Sequence, residues 1–242
     1  MAYLITLELG LFFLIGVFVI KFFKNTDFVE HVSIALAFGA MVSLGIFDLF
    51  PDLSEVFSIS NIYLPIIGTV AGFLLLVALD FFVPEHEEHT ATDYSDDNMA
   101  HIGIISSIAI ILHNIIEGMA VFTFAVADVR QGMVLALGIG LHNIPMGMLI
   151  YSTLKSEKRG KRNMFILLTA LSTFIGGCLM QLAQSFMTDI FDGILVSIAL
   201  GMLIYIVAME LLPFLIRNKN RIVSVIGAAL GIAIVILSSI FE

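Results

Sequence analysis

Apolar stretches of about twenty residues recur along this chain from its first residues to its last. A helix of that length spans the hydrocarbon of a bilayer. Inside hydrocarbon the backbone must satisfy its own hydrogen bonds, so each stretch reads as a helix. Eight spans are expected, at about 3–23, 32–53, 62–83, 101–127, 131–154, 163–187, 190–216 and 222–241. Hydrophobic residues are 60% of the 242 and charged residues 13%, with a mean hydropathy of +1.07. A soluble domain is nearer about half apolar and about a quarter charged. The fold class is therefore an all-α polytopic membrane protein, a single transmembrane domain over 1–242. Nothing in the pattern implies a nucleic-acid partner.

The basic residues orient the spans. Lys21 and Lys24 follow the first; Lys155, Lys158, Arg159, Lys161 and Arg162 follow the fifth; Arg217, Lys219 and Arg221 follow the seventh. With eight spans, all of these lie on one side, and Arg130 alone lies opposite. Positive loops stay cytoplasmic, so both termini are expected outside, in a plasma membrane. Glu8 precedes the lysines of the first span, an order that fits an uncleaved helix rather than a signal peptide. Cys178 is the single cysteine, so no intrachain disulfide can form.

One connection differs from the rest. "PEHEEHTATDYSDDNMAH", 84–101, carries six acids and three histidines on the expected cytoplasmic side. The segment 84–100 reads as a solvated acidic loop, or as a weak metal-collecting loop built on His86, His89 and the glutamates around them.

Two motifs imply internal symmetry. "GAMVSLGIFDLFP" (39–51) in span two and "GMLIYIVAMELLP" (201–213) in span seven both place an acid, Asp48 or Glu210, three residues before a proline. The two spans run in opposite directions, as do spans four and five. Paired motifs on opposed helices are the pattern of inverted repeats, here around a central pair of spans four and five.

That central pair holds the residues least at home in hydrocarbon. "LHNIIEGM" (112–119) and "LHNIPMGM" (141–148) agree at six of eight positions. His113 and His142 each fall about 17 Å into their spans, near the bilayer midplane. His113 and Glu117 share a helix face, as do His142 and Met146, and Ser106 lies on the His113 stripe. Pro145 leaves the carbonyl of Leu141 without its helical donor. An ionised Glu117 in hydrocarbon costs several kcal/mol unless paired, and no Lys or Arg lies mid-span. The options are a protonated Glu117, a hydrogen-bonded one, or a bound cation. Two imidazoles and a carboxylate suit Zn²⁺, Fe²⁺, Mn²⁺ or Co²⁺ and fit Ca²⁺ or Mg²⁺ poorly. The alternative is plain interhelical hydrogen bonding, His113 to Asn143 and His142 to Asn114. Asp48 and Glu210 read equally as interfacial or path residues, and Met41 as packing.

With these motifs the sequence resembles the ZIP (Zrt/Irt-like) family of divalent metal transporters. "HNIIEG" and "HNIPMG" are similar to its His-Asn-x-Pro-Glu-Gly motifs, and "DLFP" and "ELLP" to its acid-Leu-x-Pro ends of helices two and seven. The resemblance implies transport ligands at His113, Asn114, Glu117, His142 and Asn143, with Met41 as a further methionine ligand. It also implies a homodimer working by alternating access, helices one, four, five and six moving against two, three, seven and eight. No prosthetic group is implied; a divalent ion, Zn²⁺ first, is the substrate. Ile116 and Met146 depart from the family's Pro and Glu, and no Glu stands near Thr173, so a single metal position is expected. Met146 would offer a soft neutral ligand where the family has a charge.

Three rivals remain at this level. An intramembrane zinc hydrolase would need a third ligand and an open water position, and there is no His-Glu-x-x-His. A b-type cytochrome with His113 and His142 on haem leaves Glu117 unexplained. A metal sensor that does not transport would share every residue above.

Overall fold

The computed structural model describes residues 1–23, 26–83, 96–184, 188–217 and 220–239, and all regular structure among them is helical. Eight helices are long and apolar enough to cross a membrane. They are α1 (Ala2–Ile20), α2 (Asp27–Val56), α3 (Tyr63–Phe82), α4 (Asp96–Ala127), α5 (Val129–Thr153), α6 (Arg159–Ala183), α7 (Asp189–Arg217) and α8 (Arg221–Ser238). His86 and His89 lie outside the described residues.

The two similar motifs carry the same local distortion. α2 passes through a π turn at Gly45–Leu49, and α7 through one at Ile206–Leu211. Proline explains both. Pro51 and Pro213 have no N–H to give, and their rings crowd the carbonyl one turn back. An inserted residue widens the turn and relieves that crowding. The amides of Phe50 and Leu212 then bond Gly45 and Val207, five residues back. Asp48 and Glu210 sit on these widened turns.

A one-residue turn sets depth in the central pair. Asp128 caps α5, its Oδ1 accepting from the Arg130 amide at 2.7 Å and the Gln131 amide at 3.4 Å. α4 ends one residue before it and α5 begins one residue after. His113 and His142 lie almost equally far from Asp128 along antiparallel helices, so they meet at one level, mid-helix in both.

Glycines sort the helices into two bodies. A methyl group on Gly118 of α4 would stand 2.0 Å from the Thr173 carbonyl oxygen of α6, and one on Gly147 of α5 would stand 2.0 Å from that of Phe13 in α1. In the other body the same holds for Gly39 of α2 against Ala228 of α8 (2.0 Å) and Gly201 of α7 against Thr69 of α3 (1.9 Å). Missing side chains let these backbones touch. Among the described residues, every such glycine approach stays within α1, α4, α5 and α6 or within α2, α3, α7 and α8. Side chains reach between the bodies, among them Lys155 Nζ, just past the end of α5, on Glu30 Oε2 of α2 at 2.5 Å.

Candidate metal site

The three polar residues of the octets converge. His113 Nε2 and His142 Nε2 each lie 2.9 Å from Glu117 Oε1. The His142 contact has the geometry of a hydrogen bond. All three ligand atoms lie within 4.8 Å of one another. The Glu117 side chain is only 10% exposed and His142 is fully enclosed. A carboxylate in this position needs positive partners, and the two imidazoles face it from adjacent helices. One cation among them would engage all three groups at once, including His113 Nε2, which makes no hydrogen bond among the described residues.

The neighbouring amides are unsatisfied. Asn114 Oδ1 and both side-chain atoms of Asn143 are buried without a hydrogen-bond partner among the described residues, as is His113 Nδ1. The expected alternative of a His113–Asn143 bond is therefore not made. Ser106 is wholly buried, its hydroxyl also unpartnered. Thr173, where the resembled family carries a Glu, instead donates to the Thr6 carbonyl at 3.0 Å, tying α6 to α1.

Below His113 is a cavity of ≈ 10 Å³, about the space of one water. Met41, Met146 and Met202 line it together with His113 and a few aliphatic residues. Met202 had no counterpart in the reading of the octets. Its signal was its place at mid-helix in α7, where it matches Ala40, next to Met41, in the paired motifs. Asp48 stays half-exposed on its π turn and is not part of this group.

Glu210 belongs to a second cluster, with Asp80 of α3 and His101 of α4. His101 Nε2 lies 2.7 Å from Asp80 Oδ1 and 4.0 Å from Glu210 Oε1. The Tyr205 hydroxyl donates to Asp80 Oδ2 at 2.7 Å. Asp80 and His101 sit at the helix ends that adjoin the acidic connection, and Glu210 in the last turns of α7 before Arg217. The sequence reading grouped His101 with the acidic loop and passed over Asp80. α4 begins at Asp96, so His101 is a helical residue facing its neighbours. The usable signal was Asp80 itself, the one acid in span three.

An eight-helix membrane protein with two imidazoles and a carboxylate gathered at its middle belongs, as a class, to proteins that handle metal ions within the bilayer. The family described as ZIP Zinc transporter matches residues 82–239, more than half of the chain. The chain is 29% identical over 240 residues to the zinc transporter ZupT of Lysinibacillus sphaericus, covering 90% of this chain and 89% of that protein. It is 28% identical to the ZupT of Clostridium perfringens, covering 98% and 94%, and 30% identical to that of Chlorobium luteolum, covering 86% and 84%. The chain belongs to the ZIP family, a family of transporters and not of enzymes.

Proposed function

We propose that the protein carries divalent transition-metal cations, Zn²⁺ first among them, across the membrane towards the cytoplasm by alternating access. His113, Glu117 and His142 are the ligands of the midplane site, with Asn114, Asn143, Met146 and Met41 around it. Ser106, Glu210 and Asp48 line the path, and His86 and His89 collect ions near its cytoplasmic end. The observation that carries the reading is the meeting of two imidazole nitrogens on one carboxylate oxygen, from α4 and α5 of a transporter-family chain. That donor set suits Zn²⁺ and its transition-metal neighbours, which supports Fe²⁺, Mn²⁺, Co²⁺ and Cd²⁺ as further cargo.

The glycine seams support the mechanism. They unite α1, α4, α5 and α6 in one body and α2, α3, α7 and α8 in another, so the two can slide as units while the midplane ligands travel on the first. The charge asymmetry supports termini outside a plasma membrane, and the family resemblance supports a homodimer. Metal uptake into proteoliposomes tests the reading. Replacing His113, Glu117 and His142 by Ala together should reduce Zn²⁺ uptake to the protein-free background while the variant elutes as folded protein. Uptake at the parental rate would refute the site.

A further inference from the structure

We infer that the cavity below His113 is a thioether site for a soft monovalent cation, Cu(I) or its analogue Ag(I). This deepens the reading above and rests on it in one respect, that cargo pauses at the midplane.

Three helices bring three methionines to one cavity. Met41 (1% exposed) stands midway along α2, Met202 (2%) midway along α7 and Met146 (3%) one turn from His142 on α5. With His113 they line the same cavity. A single buried methionine fills a gap in a core. Three around one water-sized space, whose remaining lining is the His113 ring and aliphatic side chains, form a set of soft neutral donors. Thioethers select Cu(I) over harder divalent ions.

Charge points the same way. The acid in contact with His113 is Glu117, and no Lys or Arg stands mid-helix beside it. A dication against one carboxylate leaves a net positive charge in a medium that solvates it poorly, whereas a monocation leaves none. Met146 stands in the second octet where the first has Glu117, so this face of α5 offers a neutral thioether rather than a second carboxylate, with Met41 and Met202 coming from the opposite body. The ion arrives and departs as a monocation, so no electron transfer is involved.

The test uses the full chain in lipid nanodiscs, carrying Cys178→Ala so that the lone thiol cannot compete, in chloride-free buffer. Ag(I) and Zn²⁺ are titrated by calorimetry into this protein and into the same protein with Met41→Leu, Met146→Leu and Met202→Leu. Leu keeps the volume and removes the sulfur, so packing is preserved and the two ions are compared with each other, Ag(I) expected to lose more affinity than Zn²⁺. Ag(I) affinity should fall by at least about tenfold. Unchanged Ag(I) affinity overturns the proposal, and so does an equal loss for both ions, which would make the methionines packing alone. X-ray absorption at the silver edge of the Cys178→Ala protein needs no methionine variant to fold. Sulfur neighbours are expected, and a shell of nitrogen and oxygen only overturns the proposal. Zn²⁺ affinity that ignores Glu117→Gln would instead sink the divalent reading, and the silver results would stand apart from it.

Discussion

The two His-carboxylate clusters differ in how the bodies hold them. His113, Glu117 and His142 all ride on α4 and α5, inside one glycine-seamed body. Asp80, His101 and Glu210 come from α3, α4 and α7, so their cluster joins one body to the other. The first can move as a rigid unit. On the proposed alternating access, the second would part as the bodies slide, as would the Lys155–Glu30 pair near the same end. The composition follows the difference. The midplane triad has two imidazoles to one carboxylate. The end cluster has two carboxylates to one imidazole, with the Tyr205 hydroxyl fixing Asp80. The proposed function would use this difference: a group that carries an ion needs donors that stay together, and a group that gates needs partners on both bodies.

The largest effect is expected from paired substitutions that ask whether the clusters have separate tasks. Glu117→Gln should remove midplane Zn²⁺ binding and bring uptake to background, whereas Glu210→Gln should leave binding measurable and alter only the rate. Equal loss of binding in calorimetry would merge the two clusters into one site.

Acidification comes next. An imidazole nitrogen must lose its proton to ligate a metal, so protons compete with Zn²⁺ at the midplane. Apparent affinity should be full where both imidazoles are neutral and weaken as acid protonates them. With two imidazoles, the loss between pH 7.5 and 5.5 should reach about tenfold or more. A flat profile in proteoliposome uptake would exclude a His-ligated site.

A smaller effect tests the gate. His101→Ala removes a contact made between the bodies, worth about 1–3 kcal/mol when a charged partner is involved. It should change the uptake rate by about three- to tenfold and leave Zn²⁺ affinity at the midplane unaltered. A change in affinity without a change in rate would show that His101 serves the ion and not the interface.

The smallest effect is expected in the acidic loop. His86→Ala with His89→Ala should shift apparent uptake affinity by about twofold or less, because solvated, widely spaced donors hold an ion weakly. Complete loss of uptake would move the essential chemistry from the helices to the loop.

The sequence by itself determined the helical class, the eight apolar crossings and the level of the octets. Local physics settles these: a run of apolar residues must close its own hydrogen bonds in hydrocarbon, and spacing from the Asp128 turn sets the depth of His113 and His142. Helical periodicity also put His113 and Glu117 on one face. It could say which face a residue occupies, but not which helix that face meets. Only the tertiary structure decided that Met202 joins Met41 and Met146, and that Asp80, His101 and Glu210 converge from parts of the chain far apart in sequence. Those meetings depend on how each helix is rotated against its neighbours. Backbone-to-backbone glycine contacts set that rotation, and their partners lie on other helices, outside the reach of any local pattern.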